Sequence, residues 1–149
     1  MREILFRGKK MSDGRWVYGD YHKFSCTTSS TIPAPTHYIM GIDTSSKAQI
    51  WVDPATVGQY TGLTDKNGVK IFEGDIIQRK GYIYPLGRVE PCRERIVRGT
   101  VTWMNDGRNA GYWAIYSKDE HGNQVNYIFD NTFAVIGNVY DNQELLNES

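Results

Sequence analysis

No stretch of this chain is apolar over anything near the ~18 residues needed to cross a bilayer, so no membrane partner is expected. The opening Met1-Arg2-Glu3-Ile4-Leu5-Phe6-Arg7-Gly8 carries charge, but no apolar core follows it, and a signal peptide is not expected. Cysteine is scarce. Cys26 and Cys92 stand far apart, which allows one disulfide at most and fits better with two reduced thiols in a cytosol. CxxC, HxxxH and HExxH spacings are all missing, which excludes the common zinc patterns and leaves no metal ligands to name. Neither GxGxxG nor GxxxxGK followed by Ser or Thr occurs, so a nucleotide-phosphate cradle of those kinds is absent and no cofactor is expected. An excess of one charge is missing too. Seventeen basic residues balance seventeen acidic ones, and a molecule that is neutral overall is a poor bulk binder of polyanions.

What is present is glycine (15), tyrosine (10), phenylalanine (5) and tryptophan (4) in 149 residues. At roughly 100–200 residues per domain, the length suits one domain. Aromatics and glycine favour short twisted strands and tight turns. The alternation predicts strands at residues 2–7, 16–21, 37–42, 48–52, 59–63, 71–77, 95–103, 112–116, 125–129 and 133–140. Asp13-Gly14, Asn67-Gly68 and Asp106-Gly107 predict hairpin turns. The Ser-, Thr- and Pro-rich residues 24–36 predict a loop or edge, and 43–46 a polar turn. Helix is nearly absent: Asp53-Pro54 starts at most one turn, and Asp141-Asn142 caps another at the end of the chain. The pattern is mostly β. A small SH3-like or related β-barrel is expected over about 59–149, with extra N-terminal strands over about 1–58, the whole forming one domain. The expected core is Ile4, Phe6, Val17, Ile39, Trp51, Val57, Leu63, Ile76, Val101, Trp103, Trp113, Ile115, Ile128, Val135 and Ile136.

The zero net charge is a cancellation. Residues 79–98 hold six basic against two acidic side chains, whereas residues 119–149 hold six acidic and no basic ones. The basic stretch also carries tyrosines. Arg79, Lys80, Arg88, Arg93, Arg95 and Arg98, with Tyr82 and Tyr84, make a candidate nucleic-acid surface in which cations track phosphates and rings stack bases. The same segment reads first as a solvated arm, or as an arm that meets the acidic end of a second copy in a homo-oligomer, and nucleic-acid contact is the alternative.

Asp20 and Asp75 each follow a glycine in two similar stretches, Asp13–Tyr21 and Asn67–Ile76. Shared turn chemistry accounts for the likeness, and Asp75 is expected to hydrogen-bond local backbone rather than catalyse. His22, His37 and His121 lie in unrelated segments, with no nucleophile signature beside them. No catalytic residue is assigned, and the chain reads as a binding protein rather than an enzyme.

Four blocks resemble a known family. They are Arg2-Glu3-Ile4-Leu5-Phe6-Arg7, the long run Val52–Gly68, Phe72-Glu73-Gly74-Asp75-Ile76-Ile77, and the ending Val135–Leu146. In this order they resemble the YopX family of phages and prophages across nearly the whole chain. Gly8 departs from the family's usual Ala-Trp, and Gln143 from its usual Pro. The resemblance implies a small, mostly β phage accessory protein in the cytoplasm of a host bacterium, acting as an oligomeric binding or scaffold module. It carries over no catalytic residue, because the family has none assigned.

Overall fold

A computed structural model describes residues 2–24, 36–42, 48–105, 107–108, 111–118, 121–127 and 130–147. Residues 25–35 of the loop predicted at 24–36, the turn at 43–46, Asp106 of the predicted Asp106-Gly107 turn, Cys26 and Ile128 lie outside the described residues. The chain forms two compact units, Met1–Gly62 and Leu63–Ser149.

The first unit holds β1 (Phe6–Lys9), β2 (Trp16–Lys23), β3 (His37–Gly41), β4 (Gln49–Trp51) and the start of β5 (Gly58–Thr64). Its strands are antiparallel, and β5 continues past Gly62 to turn into β6 (Lys70–Phe72), giving the order β4-β3-β2-β1-β5-β6. Between β4 and β5 the chain makes one 3₁₀ turn, Pro54–Thr56, as the Asp-Pro pair predicts; Asp53 Oδ1 accepts the Ala55 N–H at 3.0 Å. Val17, Ile39 and Val52 are buried, with Phe6, Tyr21, Ile50 and Val57 packed against them.

The second unit is built on β7 (Asp75–Ile83), β8 (Arg93–Asn105), β9 (Gly111–Lys118), β10 (Gln124–Tyr127) and β11 (Ala134–Asn138), in the antiparallel order β10-β9-β8-β7-β11. Its buried core is Ile71, Ile77, Val97, Val101, Ile115 and Phe133, flanked by Trp113, Tyr127 and Val135. A last 3₁₀ turn spans Gln143–Leu146.

The mostly β reading stands, but the expected closure into an SH3-like barrel does not form among the described residues; both sheets are open. Closure would need a ladder between the edge strands β10 and β11, and the order has none; β8 for its part divides its pairing between two neighbours. It pairs with β7 along Arg93–Thr100 and with β9 along Thr100–Asn105, sharing only Thr100. The two hairpins are therefore staggered along β8.

Alternation places Val17, Ile39, Ile76, Val101 and Ile115 correctly in the interior. It fails where apolar residues run together. In Ile4-Leu5-Phe6 the buried residue is Leu5, with Ile4 67% exposed, and in Ile50-Trp51-Val52 it is Val52. A run of three apolar residues carries no parity, so neighbouring pairings decide which one turns inward. Trp103 is exposed at the end of its strand and meets Trp113 edge-on with ring centres 4.9 Å apart. Leu63 is exposed as well.

Candidate functional site

The two acidic candidates stand in different settings. Asp75 is buried, and its Oδ2 accepts the Phe72 N–H at 2.8 Å across the tight corner before β7. Gly74 makes that corner at φ 85°, donating its N–H to the Val101 carbonyl and accepting the Val139 N–H, each at 2.9 Å. Its positive φ is the reason a glycine stands there. Asp20 lies exposed on β2, opposite Met40. The histidines do not converge. His22 stacks on Tyr38 at 5.1 Å, His37 Nδ1 bonds the Tyr21 hydroxyl, and His121 sits in an exposed turn.

Asp65 is not singled out by the sequence, and its two oxygens accept three backbone N–H groups from two segments. Its Oδ1 accepts the N–H groups of Asn67 (2.8 Å) and Val69 (2.9 Å), and its Oδ2 accepts that of Val135 on β11 (2.9 Å). Burial pushes this carboxyl up. The three backbone N–H groups and the Lys66 charge outweigh that and hold it below the usual carboxylate range.

The basic arm is the β7–β8 hairpin. Register sets Arg79 opposite Val97, Lys80 opposite Ile96, Tyr82 opposite Glu94 and residue 83 opposite Arg93. Because cross-strand partners share a face, the arm's cations divide between the two sides of the sheet. Some are already engaged. Arg79 pairs with Asp130 at 2.7 Å and lies over the Phe133 ring at 4.9 Å, and Lys80 meets Glu94 at 3.3 Å. Burial raises the Asp130 carboxyl, but hydrogen bonds from Thr132 and the Arg79 charge lower it further. Tyr82, Tyr84 and Arg88 are exposed toward the tip and do not join the remaining residues.

Arg93, Arg95 and Arg98 come together with residues the sequence did not single out. Below Thr100 the β8–β9 ladder stops, and the two strands part around a groove of about 810 Å³. Gly99 is the vertex. A Cβ there would stand 2.5 Å from the Tyr116 carbonyl oxygen and 2.6 Å from Ile115 Cγ2, so only glycine lets the strands meet. Ser117 Oγ closes the angle by donating to the Arg98 carbonyl at 2.5 Å. Strand parity divides the lining into two rims. Arg93, Arg95 and Tyr127 stand on the face of Val101 and Ile115, whereas Arg98, Tyr116 and Lys118 stand on the opposite face. No carboxylate lines the groove among the described residues.

The rims are held in place. Arg95 Nη2 donates to the Tyr127 hydroxyl at 3.2 Å. Arg98 donates through Nε (3.0 Å) and Nη2 (2.8 Å) to Gln78 Oε1 and through Nη1 to the Leu145 carbonyl at 2.6 Å, which brings Leu146 and Asn147 to one end of the groove. Tyr116, Tyr127 and Lys118 left no signal in the sequence, since each stands outside the charged run and reaches the arm only through sheet pairing.

The geometry defines a class: an antiparallel all-β protein of two units, whose candidate site is a cation-lined groove where two strands fork. The chain belongs to the YopX family, "YopX protein", which matches residues 5–147. It is similar to the crystal structure of protein EF1440 from Enterococcus faecalis at 23% identity, covering 98% of this chain and 99% of that one with a TM-score of 0.47. No curated protein matches the chain significantly.

Proposed function

We propose that the protein is a non-enzymatic phage or prophage accessory protein, working in the host cytoplasm as a binding module that holds nucleic acid in the β8–β9 groove. The observation that carries this reading is the lining itself: Arg93, Arg95, Arg98 and Lys118, with no carboxylate among the described residues that line it. Such a surface attracts phosphates locally although the chain is neutral as a whole. The test is fluorescence anisotropy with labelled DNA and RNA over a range of salt. Binding should weaken steeply with ionic strength, and the double variant Arg93→Gln/Arg95→Gln should reduce both affinity and salt slope. Absence of binding to every oligonucleotide at low salt refutes the reading.

A second reading, homo-oligomerisation, is favoured by the arm tip, where Tyr84, Leu86 and Val89 are exposed at 56%, 105% and 94%. Contiguous exposed apolar side chains mark association surfaces. Light scattering after size exclusion should then show an assembly that Leu86→Ser/Val89→Ser dissociates, and a strictly monomeric wild type removes this reading.

A further inference from the structure

Resting on the nucleic-acid reading above, we infer that the strand held in the groove is single, with unpaired bases stacked on Tyr116 and Tyr127. The two rims are alike in chemistry: each carries two cations and one tyrosine. Phosphates alone would need only the cations. A duplex keeps its bases stacked on each other and turned away from a protein ring, so tyrosines within a cationic cleft suit a strand whose bases are open. An acidic polypeptide could satisfy the same cations, but it offers no planar ring to either tyrosine. Tyr116, 36% exposed, offers the more open ring; Tyr127 is half-buried, one side of it packed on the core, and its hydroxyl is tied to the Arg95 guanidinium, which sets a cation beside its remaining surface. The groove lies where two branches of a single sheet part, and both rims line it.

The probes are a labelled oligothymidylate, a duplex of the same length, an abasic strand with the same phosphodiester backbone, and polyglutamate as competitor. The oligothymidylate should bind more tightly than the duplex and the abasic strand. Tyr116→Ala and Tyr127→Ala should each weaken it about tenfold. Tyr127→Phe keeps the ring and should stay near wild type, and circular dichroism with thermal melting confirms that each variant folds. Should Tyr127→Ala not fold, Tyr116→Ala and the abasic strand decide the matter. Equal affinity for duplex and single strand, or for the abasic strand and oligothymidylate, overturns the inference while leaving the nucleic-acid reading intact. Binding of polyglutamate with no binding of any nucleic acid overturns both.

Discussion

Replacing Asp65 should destabilise the second unit more than any other single carboxylate change among the described residues. Its two oxygens hold the Asn67, Val69 and Val135 N–H groups, so one side chain ties the hairpin after β5 to β11. A parallel tie, the Lys66 N–H to the Phe133 carbonyl at 3.0 Å, shows how closely the two segments approach. In Asp65→Asn the shape is kept, but one oxygen becomes an NH₂ that faces a donor. A hydrogen bond to a charged group contributes about 1.5–3 kcal/mol, and a buried donor left without an acceptor costs about 1–3 kcal/mol. The expected loss is therefore about 2–3 kcal/mol for Asp65→Asn and somewhat more for Asp65→Ala. The measurement is urea unfolding followed by tryptophan fluorescence, read as a change in midpoint at constant slope. The pH dependence gives a second handle. The folded carboxyl titrates below its unfolded value, so its contribution is fully present above the unfolded value of about 3.9 and is lost as pH falls through the folded one. The gap between wild type and Asp65→Asn should narrow as pH drops below about 4. A loss under about 0.5 kcal/mol, the usual range of surface substitutions, or a gap independent of pH, refutes the assignment.

Gly99→Val should cost at least about 1–3 kcal/mol as an overpacked site, because the Tyr116 backbone cannot retreat from the new Cβ; thermal melting reads the loss. Phe133→Ala, at a fully buried ring, should cost about 3–5 kcal/mol by denaturant titration and also free the Arg79 side chain from the ring beneath it. Arg98→Gln removes the donor to the Leu145 carbonyl, so amide exchange in the terminal 3₁₀ turn should speed up while exchange in the middle of β9 stays slow. Asp130→Asn breaks a partly exposed pair and should shift stability by under about 1 kcal/mol, a change that salt diminishes.

Local chemistry in this chain was legible, and pairing was not. Asp53-Pro54 announces its 3₁₀ turn, Asn67-Gly68 its hairpin, and the Gly74-Asp75 corner its Asx-type bond, because each depends on residues within a few positions. The three apolar residues Ile4-Leu5-Phe6 hide which one turns inward, since that is decided by partners more than ten residues away. The candidate site shows the same division. The basic run is visible as composition, but three of the six rim side chains, Tyr116, Lys118 and Tyr127, meet it only through the register of β8 with β9 and of β9 with β10. Gly99, at the point where β8 passes from one partner to the other, presses against the Tyr116 backbone, a closeness that depends on the register of β8 with β9 and not on any local signal.

The order β10-β9-β8-β7-β11 also bears on how the second unit folds. Strands β7 to β10 form a meander in which each strand pairs with the next in sequence, so those ladders close short loops and can grow from their turns. β11 alone pairs far back, with Ala134 opposite Gln78 and Asn138 opposite Asp75. The greatest loop-closure cost in the sheet falls on that one ladder, which makes its docking the late step of folding. Asp65, which also binds β11 through Val135, then acts after the meander exists. Substitutions there should speed unfolding and leave the refolding rate nearly unchanged.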